Sequence, residues 1–342
     1  MRFFSLSIDN RFDLMYTKSE IILIFERGAV MEVLKADAVI GTNSWGSKAY
    51  CKAIRGSYIS DSIIKEAMAE ASRQGLEIYD LARDYGLGKA QKMIGKFGTE
   101  NIILSAKFTP FSRYKKGIVR KSLEKDLSDF KRSYIDIYWL HLPTDIEEHL
   151  SEMIELYREG KILYIGVSNF NIDECKLAKQ ILDKAGIPLY GVQNHYSLVT
   201  RDWEKNGLLD WCKENGISFW AWAVLEEGLL TDPRVKTKMT LMKIIMNRQK
   251  RKMHDLYLVM IAVAKRHSIS VPQVAEAFCS CKGIVPICGC RKPQQVKELA
   301  EALKIQLSAT EIRRLEEEAD KSKAKLLGPD IFRFFVPKKK VR

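Results

Sequence analysis

From Met31 onward one pattern recurs eight times: a short apolar run rich in β-formers closes on a polar residue or a glycine, and a helical stretch comes next. The runs are 38–42, 76–80, 102–107, 135–141, 162–168, 189–193, 217–222 and 283–289. Their ends lie roughly 25 to 40 residues apart, the pitch of one strand–helix unit, except for the longer step from 222 to 289. Amphipathic stretches at 61–73, 117–130, 146–159, 172–185 and 202–215 read as the intervening helices. Parallel neighbours need a crossover of a dozen or more residues, usually a helix. Eight such units in succession therefore predict an α/β fold, a (β/α)8 TIM barrel forming a single domain over 31–325. A doubly wound open sheet is the alternative. The chain has no G-x-G-x-x-G after its first strand, which disfavours that reading.

The two ends differ from this body. Residues 1–30 carry no period that would pack on the repeating units, and Glu26-Arg27-Gly28-Ala29-Val30 precedes Met31. Codons for that segment can spell a purine-rich stretch resembling a ribosome-binding site. Translation is therefore expected to start at Met31, with 1–30 a misassigned extension or else a disordered arm. Residues 326–342 form a basic tail that ends Lys338-Lys339-Lys340-Val341-Arg342.

The charge balance is 56 Lys and Arg against 43 Asp and Glu, net +13. Much of the excess sits in the tail and in Arg234 to Lys252, which holds eight basic residues and no acid. Such runs are usually solvated, and an anionic small molecule explains the remainder better than nucleic acid. The basic segment lies in the long seventh connection, Leu229 to Gln273, which is expected to cover a ligand. No run reaches the length of a membrane span or a secretory core, so a cytoplasmic protein with no membrane partner is expected. Seven scattered cysteines, Cys51, Cys175, Cys212, Cys279, Cys281, Cys288 and Cys290, fit a reducing compartment better than a disulfide framework. Their spacing lacks the gaps of common zinc sites, so they are read as small buried hydrophobes with no metal.

In such a barrel the C-terminal strand ends face the active site. Asp80, Lys107, His141, Ser168, Asn169, Gln193 and Trp222 lie there, with Tyr85 just past the second strand. Each has an ordinary reading alone: an N-cap for the aspartate, an ion-pair partner for the lysine, a satisfied core histidine. An acid, a lysine, a histidine and a tyrosine converging from three strand ends is a stronger pattern, because these are the types that move protons. Neither a nucleophile set nor a metal triad stands out. Trp45 and Trp139, near the ends of strands one and four, are candidate walls of a substrate pocket, with ordinary packing as the alternative.

Five segments resemble the aldo-keto reductase family in the right order between Val39 and about Glu318. Leu76-Glu77-Ile78-Tyr79-Asp80-Leu81-Ala82-Arg83-Asp84-Tyr85-Gly86 is similar to the signature whose Asp and Tyr are catalytic. Ser105-Ala106-Lys107-Phe108 resembles the lysine strand, and Tyr134 to His141 the histidine strand. Gly160 to Phe170 resembles the segment whose Ser-Asn pair, here Ser168 and Asn169, holds the nicotinamide carboxamide. Val285-Pro286-Ile287-Cys288-Gly289-Cys290-Arg291-Lys292-Pro293, with Gln295 and Glu298, resembles the segment binding the adenosine 2′-phosphate.

The resemblance implies NADP(H) as cofactor and a small-molecule carbonyl as substrate. It makes Tyr85 the general acid, assisted by Lys107, Asp80 and His141. An ammonium beside a phenol, whose free pKa is about 10, favours the phenolate. The implied cofactor contacts further include Gly41, Thr42, Gln193, Trp222, Leu225, Gly228 and Gly289. Four departures bear on the cofactor. Gln91 stands for a usual Glu, Trp222 for the stacking Tyr, Ala223-Val224 for Ser-Pro, and Leu299 for an Asn near adenine. A cofactor-binding redox sensor or regulatory subunit with little turnover is the alternative function. The sequence leaves the physiological substrate and the oligomeric state open.

Overall fold

A computed structural model of the chain describes residues 34–55, 57–86, 88–234 and 249–324. The predicted extension, the basic tail and most of the basic segment lie outside these residues. Eight parallel strands close into a barrel in sequence order: β1 (Val39–Gly41), β2 (Ile78–Asp80), β3 (Ile103–Phe108), β4 (Ile135–Leu140), β5 (Ile162–Ser168), β6 (Leu189–His195), β7 (Ser218–Trp222) and β8 (Val285–Cys288). The predicted TIM barrel is the fold observed.

Twelve α-helices among the described residues flank the strands: α1 (Lys48–Arg55), α2 (Asp61–Arg73), α3 (Ala90–Phe97), α4 (Ile118–Phe130), α5 (Ile146–Arg158), α6 (Ile172–Lys184), α7 (Asp202–Lys205), α8 (Leu208–Glu214), α9 (His254–His267), α10 (Val271–Cys281), α11 (Pro293–Ala302) and α12 (Ala309–Ser322). Local chemistry starts several of them. At α6, the Asn171 side chain accepts from the Glu174 amide while the Glu174 carboxylate accepts from the Asn171 amide. Ser308 and Glu311 make the same reciprocal cap at α12. Each cap satisfies two amides that a helix start would otherwise leave unpaired.

Three details differ from the sequence reading. The stretch 202–215 is two helices, because Gly207 between them takes φ +85°, which a helix cannot hold. Strand β6 runs to His195, two residues past the expected end. The seventh connection is not all cover for the mouth. From His254 it is helix α9, whose Leu256, Met260 and Val263 are buried in the core and which packs against α10 and α12.

The interior beneath the strand ends is filled by aromatic rings. Trp139 lies 4.9 Å from Trp220 and 6.0 Å from Tyr190, centroid to centroid. Two glycines on the adjoining strands make room for it. A Cβ on Gly166 would overlap the indole, and one on Gly191 would lie 3.1 Å from it. Six of the seven cysteines are buried, as small apolar residues should be. Among the described residues no helix is long and apolar enough to cross a membrane.

Candidate active site

Strand register delivers the polar residues to one end of the barrel. Asp80, the last residue of β2, pairs with Ser105, and Lys107 stands two residues further along β3 on the same inward face. The Lys107 ammonium bonds both Asp80 oxygens, at 2.6 Å and 2.5 Å. It also donates to the Tyr85 hydroxyl oxygen at 3.0 Å. Tyr85 Oη in turn donates to Asp80 Oδ2 at 3.1 Å. Gln193 Nε2 donates to Asp80 Oδ1 at 2.9 Å, and the Thr42 hydroxyl donates to the Asp80 carbonyl at 2.7 Å. The aspartate is thus fixed by four strands, β1, β2, β3 and β6, or by residues adjoining them.

The lysine is completely buried. Burial pulls its pKa below the ordinary lysine range, and Asp80 pulls the other way. A buried ammonium persists only where its hydrogens are all taken up, and here three acceptor atoms surround it. His141 comes directly after β4. Its pKa is held well below the usual histidine range, first by burial and then by the Lys107 charge, so the ring is neutral at physiological pH. Thr109 Oγ1 lies 2.7 Å from His141 Nδ1 and fixes the ring from the β3 side. Thr109 carries no motif, and only this contact reveals it.

The β5–β7 side is a second network. Ser168 Oγ donates to the Gln193 carbonyl at 2.7 Å. Asn169, at φ +62°, donates from Nδ2 to the His141 carbonyl at 2.9 Å and to Ser168 Oγ at 3.2 Å. Its Oδ1 accepts from Trp222 Nε1 at 3.2 Å. Trp222 is half-buried, and one face of its indole stacks on His195 at 4.5 Å and 19°. Leu225 and Gly228 form the next turn, where the Gly228 amide donates to the Leu225 carbonyl at 2.9 Å.

The β8 corner holds the remaining predicted residues. The Arg291 amide donates to Gln295 Oε1 at 2.9 Å, and its guanidinium reaches Ser57 through the carbonyl (3.1 Å) and the hydroxyl (2.9 Å). Arg291 Nε is buried without a partner among the described residues. Lys292 and Gly289 are exposed, and a Cβ at Gly289 would meet only open space. Glu298 Oε1 accepts from Gln294 at 3.1 Å, and so faces along its own helix. Gly41 lies against the backbone of Cys288 and Gly289, which joins this corner to β1.

Two predicted pocket residues sit elsewhere. Trp139 is fully buried, donates to Ser105 Oγ at 2.8 Å, and packs across the barrel bore. Its register partner is Lys107, whose ammonium bonds the Tyr85 hydroxyl. Trp45 is also fully buried and ties the β1 loop to the β8 loop by donating to the Cys290 carbonyl at 3.1 Å. Both are fully buried in the packing. Leu299 is buried in the core as well.

Residues 38–320 match the family model described as the aldo/keto reductase family. The chain belongs to the aldo/keto reductase family. Among aldo-keto reductase relatives, it is 27% identical over 305 residues to the chloroplastic pyridoxal reductase of Arabidopsis thaliana, covering 82% of each chain. It is 31% identical over 181 residues to aldo-keto reductase YhdN of Bacillus subtilis, covering 48% of this chain and 53% of that one. A thermostable aldo-keto reductase, Tm1743, solved with the inhibitor epalrestat, superposes with a TM-score of 0.65 at 26% identity, covering 85% of this chain and 97% of that chain. An aldo/keto reductase from Klebsiella pneumoniae, solved with NADP and acetate, shares the fold with a TM-score of 0.62 at 22% identity, covering 89% and 94%.

Proposed function

We propose that the chain reduces an aldehyde or ketone to an alcohol with NADP(H). The observation that carries this reading is Lys107, buried against Asp80 and within 3.0 Å of the Tyr85 hydroxyl. The fit to the dinucleotide rests on groups already in place. Ser168, Asn169 and Gln193 would hold the carboxamide, and the half-buried Trp222 would meet the nicotinamide ring. Arg291 and Lys292, with Gln295 behind them, would hold the 2′-phosphate. The orphaned, buried Arg291 Nε is a donor that an anion would satisfy. When bound, the dinucleotide supplies the hydride that reduces the carbonyl carbon.

The chain's own residues handle the proton. Charge builds on the carbonyl oxygen, so a donor must stand there. Tyr85 gives its hydroxyl proton to that oxygen. The ammonium of Lys107 stabilises the phenolate left behind, and Asp80 and Gln193 keep the ammonium aimed. Neutral His141 offers a ring N–H to the same oxygen and, being uncharged, does not add a second cation beside Lys107. In the alcohol-oxidising direction each proton transfer reverses. We place the protein in the cytoplasm, from its free cysteines.

The test is NADPH consumption by the purified chain across a panel of aldehydes, ketones and sugars. Multiple turnovers on at least one carbonyl support the reading. A single slow cycle of bound NADPH, with no turnover on any of them, overturns it in favour of a sensor.

A further inference from the structure

Behind Trp222 stands a polar arrangement that neither the hydride nor the proton transfer uses. His195, the last residue of β6, is fully buried, and so are Ser197, Thr200 and Glu226. Glu226 Oε1 accepts three hydrogen bonds, from His195 Nε2 at 2.9 Å, Ser197 Oγ at 2.6 Å and Thr200 Oγ1 at 2.6 Å. The glutamate reaches inward because the turn after β7 places Ala223, Glu226 and Glu227 at φ +59°, +46° and +54°. Left-handed backbone at three non-glycine residues in so short a turn is costly, and it persists only where the surroundings enforce it.

As a way of filling space this is poor. His195 Nδ1 and Glu226 Oε2 are buried without partners among the described residues, and an apolar filler would leave no such atoms. What the arrangement provides is direction. Three donors on one oxygen fix the carboxylate, and the carboxylate fixes the plane of the imidazole through Nε2. The imidazole then lies flat on the indole of Trp222 at 19°. The bond from Trp222 Nε1 to Asn169 fixes the edge of the same indole. His195 thus covers one face of Trp222, and Asn169 ties its edge.

We propose that His195 and Glu226 are positioning residues for the nicotinamide: they hold the Trp222 indole in one orientation, so that the ring resting on it offers one fixed face to the substrate. The proposal rests on the reading that Trp222 meets the nicotinamide. It deepens that reading by naming what sets the angle of the platform.

The test uses the full chain with His195→Ala, His195→Phe and Glu226→Gln. Two quantities are read for each variant. One is the amplitude of tryptophan quenching at saturating NADPH. The other is which C4 hydrogen is transferred from NADPH deuterated on one face. In His195→Ala the quenching amplitude falls by half or more, both C4 hydrogens are transferred, and kcat drops about tenfold to a hundredfold, the scale of a small misplacement. His195→Phe restores a flat support and recovers amplitude and selectivity. Glu226→Gln falls between them. A role in packing alone lowers Tm but leaves amplitude and hydrogen selection unchanged in the folded variant, and that result overturns the proposal. Should His195→Ala fail to fold, unchanged quenching and selection in Glu226→Gln overturn it equally. Failure of the underlying reading looks different: wild-type quenching surviving in Trp222→Ala would show that the indole does not meet the cofactor at all.

Discussion

On the β2–β4 side of the barrel mouth, Asp80, Lys107 and Tyr85 bond mainly to one another, in a closed triangle of ion pair and hydroxyl. On the β5–β8 side, Ser168, Asn169, Trp222 and Arg291 bond mostly to carbonyls and neighbours of the framework. The first side buries a charge together with its countercharge. The second holds a half-buried indole and, among the described residues, one buried donor without a partner, Arg291 Nε. Under the proposed function, the first corner moves the proton and the second holds the dinucleotide. Substitutions in the first should therefore strike the chemical step, and those in the second the grip on the cofactor.

The largest effect is expected from Tyr85→Phe. The ring keeps its place but the proton donor is gone, so kcat should fall roughly a hundredfold or more while the NADPH Kd stays within a few-fold. Steady-state kinetics and a binding titration check this. Retention of more than about a tenth of wild-type kcat would remove Tyr85 from the role of acid and erase the contrast between the corners.

Arg291→Ala should do the reverse. Losing a charge-assisted contact costs about 1.5–3 kcal/mol, or roughly tenfold to a hundredfold in NADPH affinity. NADH, which lacks the 2′-phosphate, should be bound almost as before. Equal loss for both dinucleotides in paired titrations would mean that Arg291, already bonded to Ser57, serves only to tie the loops together.

Trp222→Ala should remove most of the tryptophan quenching that NADPH causes and loosen the cofactor a few-fold. Other tryptophans can respond too, so the comparison with wild type is what decides. Titrating both proteins under the same conditions makes that comparison.

The smallest effect lies behind β8. Burial pushes the Glu276 carboxyl up to about 8, against an opposing hydrogen bond from the Cys288 thiol. Its Oε2 has no partner among the described residues. Between the ordinary carboxylate value and about 8, the folded protein keeps a proton that the unfolded chain has released. Stability from this group is therefore full at low pH and lost as pH rises through that window. In Glu276→Gln that slope vanishes, so Tm of the variant relative to wild type should climb from pH 5 to pH 8. A constant difference across the window would mean that Glu276 is ionised in the fold. The region behind β8 would then bury an unpaired charge, which would set it still further apart from the Asp80–Lys107 pair.

The strand period made the barrel legible, and the family motifs pointed to Asp80, Tyr85, Lys107 and His141 as a candidate site, because both are local signals: alternation along one strand, or a residue type at one strand end. What escaped is set by partners distant in sequence. The run at 189–193 reads as ending on a polar residue, yet β6 continues and carries Gly191, Gln193 and His195 on one inward face. Nothing in the side chains of Ala223, Glu226 or Glu227 announces a left-handed turn, so the inward path of Glu226 could not be read. Trp139 looked like a mouth residue because it lies near a strand end. Its depth comes from the two glycines on β5 and β6 that admit the ring, a fact of three strands together. Arg291 and Ser57 are separated by 234 positions, and no pattern in either segment points to the other.

The short seam between β1 and β8 has a consequence for how the barrel opens. β1 contributes three residues and meets β8 through two register pairs, Val39 with Ile287 and Ile40 with Cys288, whereas β4 and β5 pair along nearly their whole length. Local opening begins where fewest backbone bonds must break together. Amides of β1 and β8 should therefore exchange with deuterated solvent before those of β4. Gly41 and Thr42 lie on one bank of this seam, Gly289 and Arg291 on the other. A dinucleotide that spans both banks would slow exchange there first, so deuterium uptake along β1 and β8 would report cofactor binding even in a variant that has lost all turnover.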